Sequence, residues 1–258
     1  MRRLIIEEPV AGAAVWSRRS AVFALAVAAM SVALARLAPA EAEAALSVLA
    51  AALIIALAAI LLGGAALAVI WQTGRRGTGQ ALGAIALALA LLAAPVWLAV
   101  AALRLPAIND ISTDRADPPQ FSRSARALAA RANRVPPAAS PEAAAAQERG
   151  YPFVQPIVLD IEAADAYALV QRAVAARGWQ ILERVAPGGR AGIGHIAAVD
   201  RSILFGFPDD ITIRLRPLGG QTRIDIRSAS RFGQIDFGAN ARRIARFAEE
   251  VQAQLEVK

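Results

Sequence analysis

With 258 residues, 57% of them hydrophobic, and a mean hydropathy of +0.45, the chain is too apolar for one water-soluble domain, so the excess must be confined to part of it. A formal charge of +7 spread without a basic block, with only 5% aromatic residues, argues against a dedicated nucleic-acid binder, which needs a clustered basic face with stacking rings. The lack of cysteine excludes disulfide frameworks, thiolate metal sites and cysteine nucleophiles.

The charge splits the chain in two. Up to Leu103 seven basic residues (Arg2, Arg3, Arg18, Arg19, Arg36, Arg75, Arg76) meet four acidic ones (Glu7, Glu8, Glu41, Glu43), a net +3; from Arg104 on, 21 basic residues meet 17 acidic ones, a net +4. The basic residues are Arg rather than Lys almost throughout, which with abundant Ala reads as a GC-rich bacterial coding bias.

About 20 apolar residues cross the hydrocarbon layer as a helix. Residues 46–71 and 81–103 are uncharged runs of that length, and residues 21–38 form an Ala-rich third, with Arg36 near its end where a long side chain can reach the interface. A signal peptide ending at Ala38-Pro39-Ala40-Glu41-Ala42 is the rival reading of the first run; its charged leader would be unusually long. Neither long run has the polar face of a surface helix, and neither contains Asp, Glu, Lys or His, which argues against an ion or proton path. Pro95 falls inside the third helix; Gly63-Gly64 in the second leaves room for close helix contact, but no small-xxx-small register stands out. Short basic loops mark the cytoplasmic side. Arg2, Arg3, Arg18 and Arg19 precede the first helix, Glu41 and Glu43 follow it, and Arg75-Arg76 follow the second, so residues 1–19 are expected inside and everything after residue 103 outside, in the periplasm across a bacterial inner membrane.

Residues 104–150, rich in Pro and Ala, read as a tether with a short helix at 124–133. A compact domain is expected over 151–258. Its elements are a strand at 153–159, an amphipathic helix at 162–177 stopped by Gly178, a hairpin of 179–185 and 191–199 around Pro187-Gly188-Gly189, a second hairpin around Gly219-Gly220, and a helix at 240–255. The fold class is thus three transmembrane helices plus an α+β domain of order β-α-β-β-β-β-α. An antiparallel sheet would carry both helices on its apolar face and leave the other face in water.

Several stretches carry a family resemblance: Ile108-Asn109-Asp110-Ile111-Ser112-Thr113-Asp114, Phe205-Gly206-Phe207-Pro208-Asp209-Asp210, Ile213-Arg214-Leu215-Arg216, and Asp225-Ile226-Arg227-Ser228-Ala229-Ser230-Arg231 followed by Gly233, Asp236, Gly238 and Asn240-Ala241-Arg242-Arg243-Ile244. Together they resemble the bacterial family catalogued as domain of unknown function 1499, over about residues 105–255. The resemblance implies no activity. At fold level the strand order is also similar to helix-grip modules of envelope lipoproteins, an analogy that favours partner binding.

Candidate sites lie on the second hairpin and after it. Pairing symmetric about Gly219-Gly220 sets Arg214 opposite Asp225 and Arg216 opposite Arg223; with Arg227 these form either a solvated basic face or a dock for an anionic protein or phospholipid headgroup. Ser228, Ser230, Arg231, Asp236, Asn240 and Arg243 lead into the last helix, where Asp236 or Asn240 suits a helix cap and the amide ends could hold an anion. Two functions follow: a non-enzymatic envelope protein docking a protein or lipid, or an envelope hydrolase using Asp209, Asp210 or Asp236 as acid or base. Against the second, adjacent Asp209 and Asp210 on a strand face opposite ways. Asp110, Asp114 and Asp117 lack the glycine and distal glutamate of an EF-hand loop, His195 is the sole histidine, and Gly192-Ile193-Gly194 is too short for a nucleotide loop, so no metal or cofactor is expected. The oligomeric state is not legible.

Overall fold

The computed structural model describes residues 8–189 and 192–256 and forms two compact units. Arg2, Arg3 and Glu7, used above for orientation, and Ala191, the expected start of a strand, lie outside the described residues.

The first unit consists of α1 (Gly12–Leu37), α2 (Ala42–Thr73) and α3 (Thr78–Ala102), all long and apolar enough to cross a membrane. At 1.5 Å per residue they span about 38 to 48 Å, more than the roughly 30 Å of hydrocarbon. Their packing is inside out by the standard of a soluble bundle. Alanines at Ala21, Ala24, Ala56, Ala59, Ala84 and Ala88 fill the centre, whereas Phe23, Met30, Ile54, Leu61, Leu89 and Trp97 are exposed. In water the large residues would turn inward; among lipid tails nothing drives them in, and small residues let backbones come close.

The absence of a small-residue register read from the sequence is corrected here. Along α1 the buried positions Ala14, Ser17, Ala21, Ala24, Ala28, Ser31 and Ala35 alternate steps of three and four, the spacing of a seam that keeps facing one partner. On α2 the facing seam includes Ala42, Ala45, Ala52, Ala56, Ala59, Gly63 and Ala66. The hydroxyls of Ser17 and Ser31 donate across it to the carbonyls of Ala59 (2.8 Å) and Ala45 (2.6 Å), fixing an antiparallel register.

The second unit holds β1 (Asp110–Ser112), α4 (Ala125–Ala130), α5 (Pro141–Gly150), β2 (Ile157–Leu159), α6 (Ala163–Ala176), β3 (Gln180–Val185), β4 (Gly194–Arg201), β5 (Pro208–Pro217), β6 (Thr222–Ser230) and α7 (Ala239–Glu256). From β2 on, the expected order of strands and helices is the observed one. All pairs are antiparallel in the order β1-β6-β5-β4-β3, with β2 continuing β1 along the outer edge of β6. Gly178, at φ +67°, ends α6, and Gly219 and Gly220, both at positive φ, make the β5–β6 turn. The hairpin register matches its sequence reading, with Arg214 opposite Asp225 and Arg216 opposite Arg223. Alternation places Ile196, Ala198, Ile211, Ile213, Leu215, Ile224 and Ile226 on one face, under α6 and α7. Trp179 stacks on Phe247 at 5.1 Å and helps fill the space between sheet and helices.

Two expectations fail. The segment read as a tether belongs to the domain: β1 pairs with β6, Ile108 and Ile111 lie in the core, and the Gln147 side chain donates to the Ser112 carbonyl (2.6 Å) while accepting from its amide (3.1 Å). Gln147 thereby acts as one more strand residue on an edge that would otherwise be open. The second sheet face is also not wet. Residues 113–137 cross it as a strap, and Asp210, Thr212, Asp225 and Arg227 are buried.

Candidate functional site

The strap holds because the sheet's second face is lined with ionisable side chains that need partners once water is excluded. Three groupings result, each built from a strand residue and a strap residue far from it in sequence.

The first is the arginine cluster of the β5–β6 hairpin. Arg214, Arg216 and Arg223 converge on the Asp114 Oδ2 atom at 3.2, 2.8 and 2.9 Å. Asp225 accepts from the same three, at 3.1 and 2.8 Å on Oδ2 and 2.8 Å on Oδ1, and Asp117 accepts from Arg214 at 2.9 Å. The repulsion expected between Arg216 and Arg223 is relieved by carboxylates placed between them. Three cations therefore meet three carboxylates, so the hairpin is not a free basic face. Burial pushes the Asp114 carboxyl up, but the Asp117 amide and the Arg216, Arg223 and Arg214 guanidinium groups outweigh it and hold it below the ordinary range. Burial lowers Arg216 in turn, and Asp225 and Asp114 more than reverse this. Asp117 is the outermost member, with 63% of its side chain exposed.

Arg227 forms the second. It is 2% exposed, donates to both Asp110 oxygens (2.9 Å from Nε and 2.6 Å from Nη2) and to the Pro137 carbonyl (2.7 Å), and stacks over the Phe121 ring at 4.7 Å. Its reading as a surface docking residue is corrected: it ties β1 and two points of the strap to β6. The third is Asp210, fully buried and held by Arg231 through both oxygens (2.9 and 2.8 Å) and by Arg131 at 3.0 Å. Nearby, the Thr212 hydroxyl donates to the Gln120 carbonyl (3.0 Å), which leaves its oxygen to accept from His195 Nε2 at 2.8 Å. Burial pushes His195 below its ordinary value, against the pull of Glu183.

The remaining predicted residues sit on the helix side. Asn240 accepts from Ser228 (2.7 Å) and Arg243 and donates to Ser230 (3.0 Å) and the Asn109 carbonyl (2.9 Å). Arg243 bridges Asp200 (2.7 Å) and Asp209. Burial pushes Asp209 up despite Arg243 beside it. Asp236 accepts from the amides of Gly238 and Asn240 at 2.8 Å each, holding the start of α7. Asp209 and Asp210 thus serve opposite faces, and Asp209, Asp210 and Asp236 each have a structural partner instead of a shared reaction centre.

Phe121 and Arg131 of the strap and Gln147 of α5 have no signal in the sequence pattern. Asp110, Asp114 and Asp117 do not fit a calcium loop, and Asp110 and Asp114 fall in the family stretch 108–114; their spacing along a Pro-rich run, set against an Arg-rich hairpin, is the available sign of these ion pairs.

The model of the family described as a protein of unknown function (DUF1499) matches residues 110–251, over half the chain. The chain belongs to this family. The matched span starts at β1 and takes in the strap, so the DUF1499 unit includes the segment read as a tether. No curated protein matches the chain.

Proposed function

We propose that this DUF1499 protein is a multi-pass inner-membrane protein with a cytoplasmic N-terminus, whose domain stands in the periplasm as a non-enzymatic dock for an envelope protein or an anionic lipid. Arg2, Arg3, Arg18 and Arg19 toward the N-terminal end of α1 and Arg75-Arg76 between α2 and α3, against Glu41 and Glu43 where α2 begins, support that orientation. The observation behind the docking role is the cluster of Arg214, Arg216 and Arg223, where the exposed Asp117 is the one carboxylate an incoming anion can replace without opening the fold. Against a hydrolase stand the structural commitments of Asp209, Asp210 and Asp236.

Crosslinking in native membranes tests the reading. Charge reversal must avoid Arg227, whose burial would unfold the domain, and use Arg216→Glu, at the half-open edge of the cluster. Loss of a crosslinked band in Arg216→Glu, restored by Arg216→Lys, is expected. A variant that keeps every crosslink ends the docking assignment.

A further inference from the structure

Within the helical unit, the end at which α1 starts and α2 finishes is a formed corner. The Ala11 amide donates to the Arg76 carbonyl (2.9 Å) and the Arg76 amide to the Pro9 carbonyl (3.2 Å), so the start of α1 lies beside the α2–α3 turn. Trp16 and Trp71 are exposed here, by 60% and 92%, and Arg18 and Arg19 follow on the exposed side of α1. Tryptophans and arginines together at the ends of spanning helices mark the depth of the lipid headgroups.

A groove runs from this corner between α1 and α3. α3 approaches the other helices through Ala81, Ala84 and Ala88, and Gly79 and Gly83 lie to one side of that seam. A Cβ built on either glycine meets nothing within 4 Å, unlike one on Gly63, so these two glycines do not serve helix contact. They leave a hollow of about 550 Å³, walled by Val22 and Leu87, with Arg18 and Gln80 at its outer end. A second hollow of about 570 Å³ shares Arg18, Val22 and Gln80 with the first and continues over Arg19, Phe23 and Ala26. The groove is thus cationic where the helices begin and apolar further along them, at a volume typical of small-molecule sites.

Among the described residues Arg18 and Arg19 have no carboxylate partner, and Arg19 lies over the Trp16 ring at 5.4 Å. Two such cations at the head of a greasy groove complement a molecule with a phosphate at one end and hydrocarbon at the other, because guanidinium groups bind phosphate oxygens in pairs and basic pockets between spanning helices suit anionic headgroups.

We propose that the groove between α1 and α3 holds one anionic phospholipid, its phosphate on Arg18 and Arg19 beside Gln80 and one acyl chain along Val22, Gly83 and Leu87. A zwitterionic lipid offers the same chain but brings its own cation to the arginines, so the site selects for net negative charge. The inference rests on the three helices spanning a bilayer, and not on which compartment the domain occupies.

Native mass spectrometry tests it, on the full-length chain in mild nonionic micelles titrated with phosphatidylglycerol or phosphatidylcholine of equal chain length. One phosphatidylglycerol is expected to stay on the chain at a roughly thirtyfold lower concentration than phosphatidylcholine, the contribution of two arginines at an anionic headgroup. The double variant Arg18→Gln/Arg19→Gln should hold the two lipids alike. Gly83→Leu, which fills the groove and keeps the arginines, should lose the phosphatidylglycerol adduct, and Gly64→Leu, whose added side chain meets open space outside the groove, should keep it. Glycerol phosphate, a headgroup without chains, should not displace the lipid. Equal retention of both lipids by the wild type, a preference that survives in the double arginine variant or in Gly83→Leu, or displacement by glycerol phosphate overturns the inference. Arg216→Glu separates this site from the arginine cluster of the domain. It should leave the adduct in place, and loss of the adduct in that variant would move the lipid to the cluster and end the assignment to the groove.

Discussion

Arg227 shows how much of the domain hangs on single charges. Its guanidinium donates to both Asp110 oxygens and to the Pro137 carbonyl, all behind the Phe121 ring. Removing one member of a buried pair strands the other, a loss on the order of 3–5 kcal/mol. Arg227→Ala is therefore expected to unfold the domain at markedly lower denaturant, followed by circular dichroism of the full chain in micelles, while Arg216→Ala at the half-open edge shifts the midpoint far less. Asp114 predicts a pH dependence. Its folded pKa is depressed below the ordinary 3.8, so its contribution is fully present above that value and is lost as pH falls through the folded pKa. The unfolding midpoint of the wild type should drop below about pH 4, and Asp114→Asn should be less stable at neutral pH with a flatter profile in that acid range. A drop of equal steepness in both proteins would assign the acid sensitivity elsewhere.

Among elements, the α1–α2 pair rests on backbone approach. A Cβ built on Gly63 would meet Ile85 Cγ1 at 2.7 Å and the Ser17 hydroxyl at 3.0 Å, whereas one on Gly64 meets nothing within 4 Å. Gly63→Val should cost about 1–3 kcal/mol by overpacking, and Gly64→Val should be close to neutral, a contrast readable as thermal midpoints in detergent. Such pairs also show what sequence could carry. The β5–β6 register was legible because strict alternation about Gly219-Gly220 leaves one way to bury Ile211, Ile213, Leu215, Ile224 and Ile226 together. The alanine seams were present but hidden, since small residues outnumber the seam positions and only the three-four stepping separates them. The strap was not legible, because its hold is Arg131 on Asp210, 79 positions apart, and Asp114 on Arg216, 102 apart, with no local periodicity to report either.

At the scale of the molecule, the boundary of the folding unit decides whether the strap is an accessory or a part of the core. A fragment of residues 151–258 contains the elements from β2 to α7 and would suffice if 104–150 were a spacer. It would also leave Arg227 without Asp110, Arg214, Arg216 and Arg223 without Asp114 and Asp117, and the β6 edge without β1. Each loss is of the kind that unpairs a buried charge or opens a strand edge. A fragment of residues 104–258 keeps all of these. The longer fragment is expected to give cooperative unfolding and a dispersed amide spectrum in mild detergent, and the shorter one a collapsed or aggregating chain. Adding residues 104–150 as a separate peptide should not fully rescue it, since Ile108, Ile111 and Leu105 sit within the core and must condense with it. A dispersed, cooperative spectrum from 151–258 alone would return the strap to the status of a spacer, and its ion pairs to decoration.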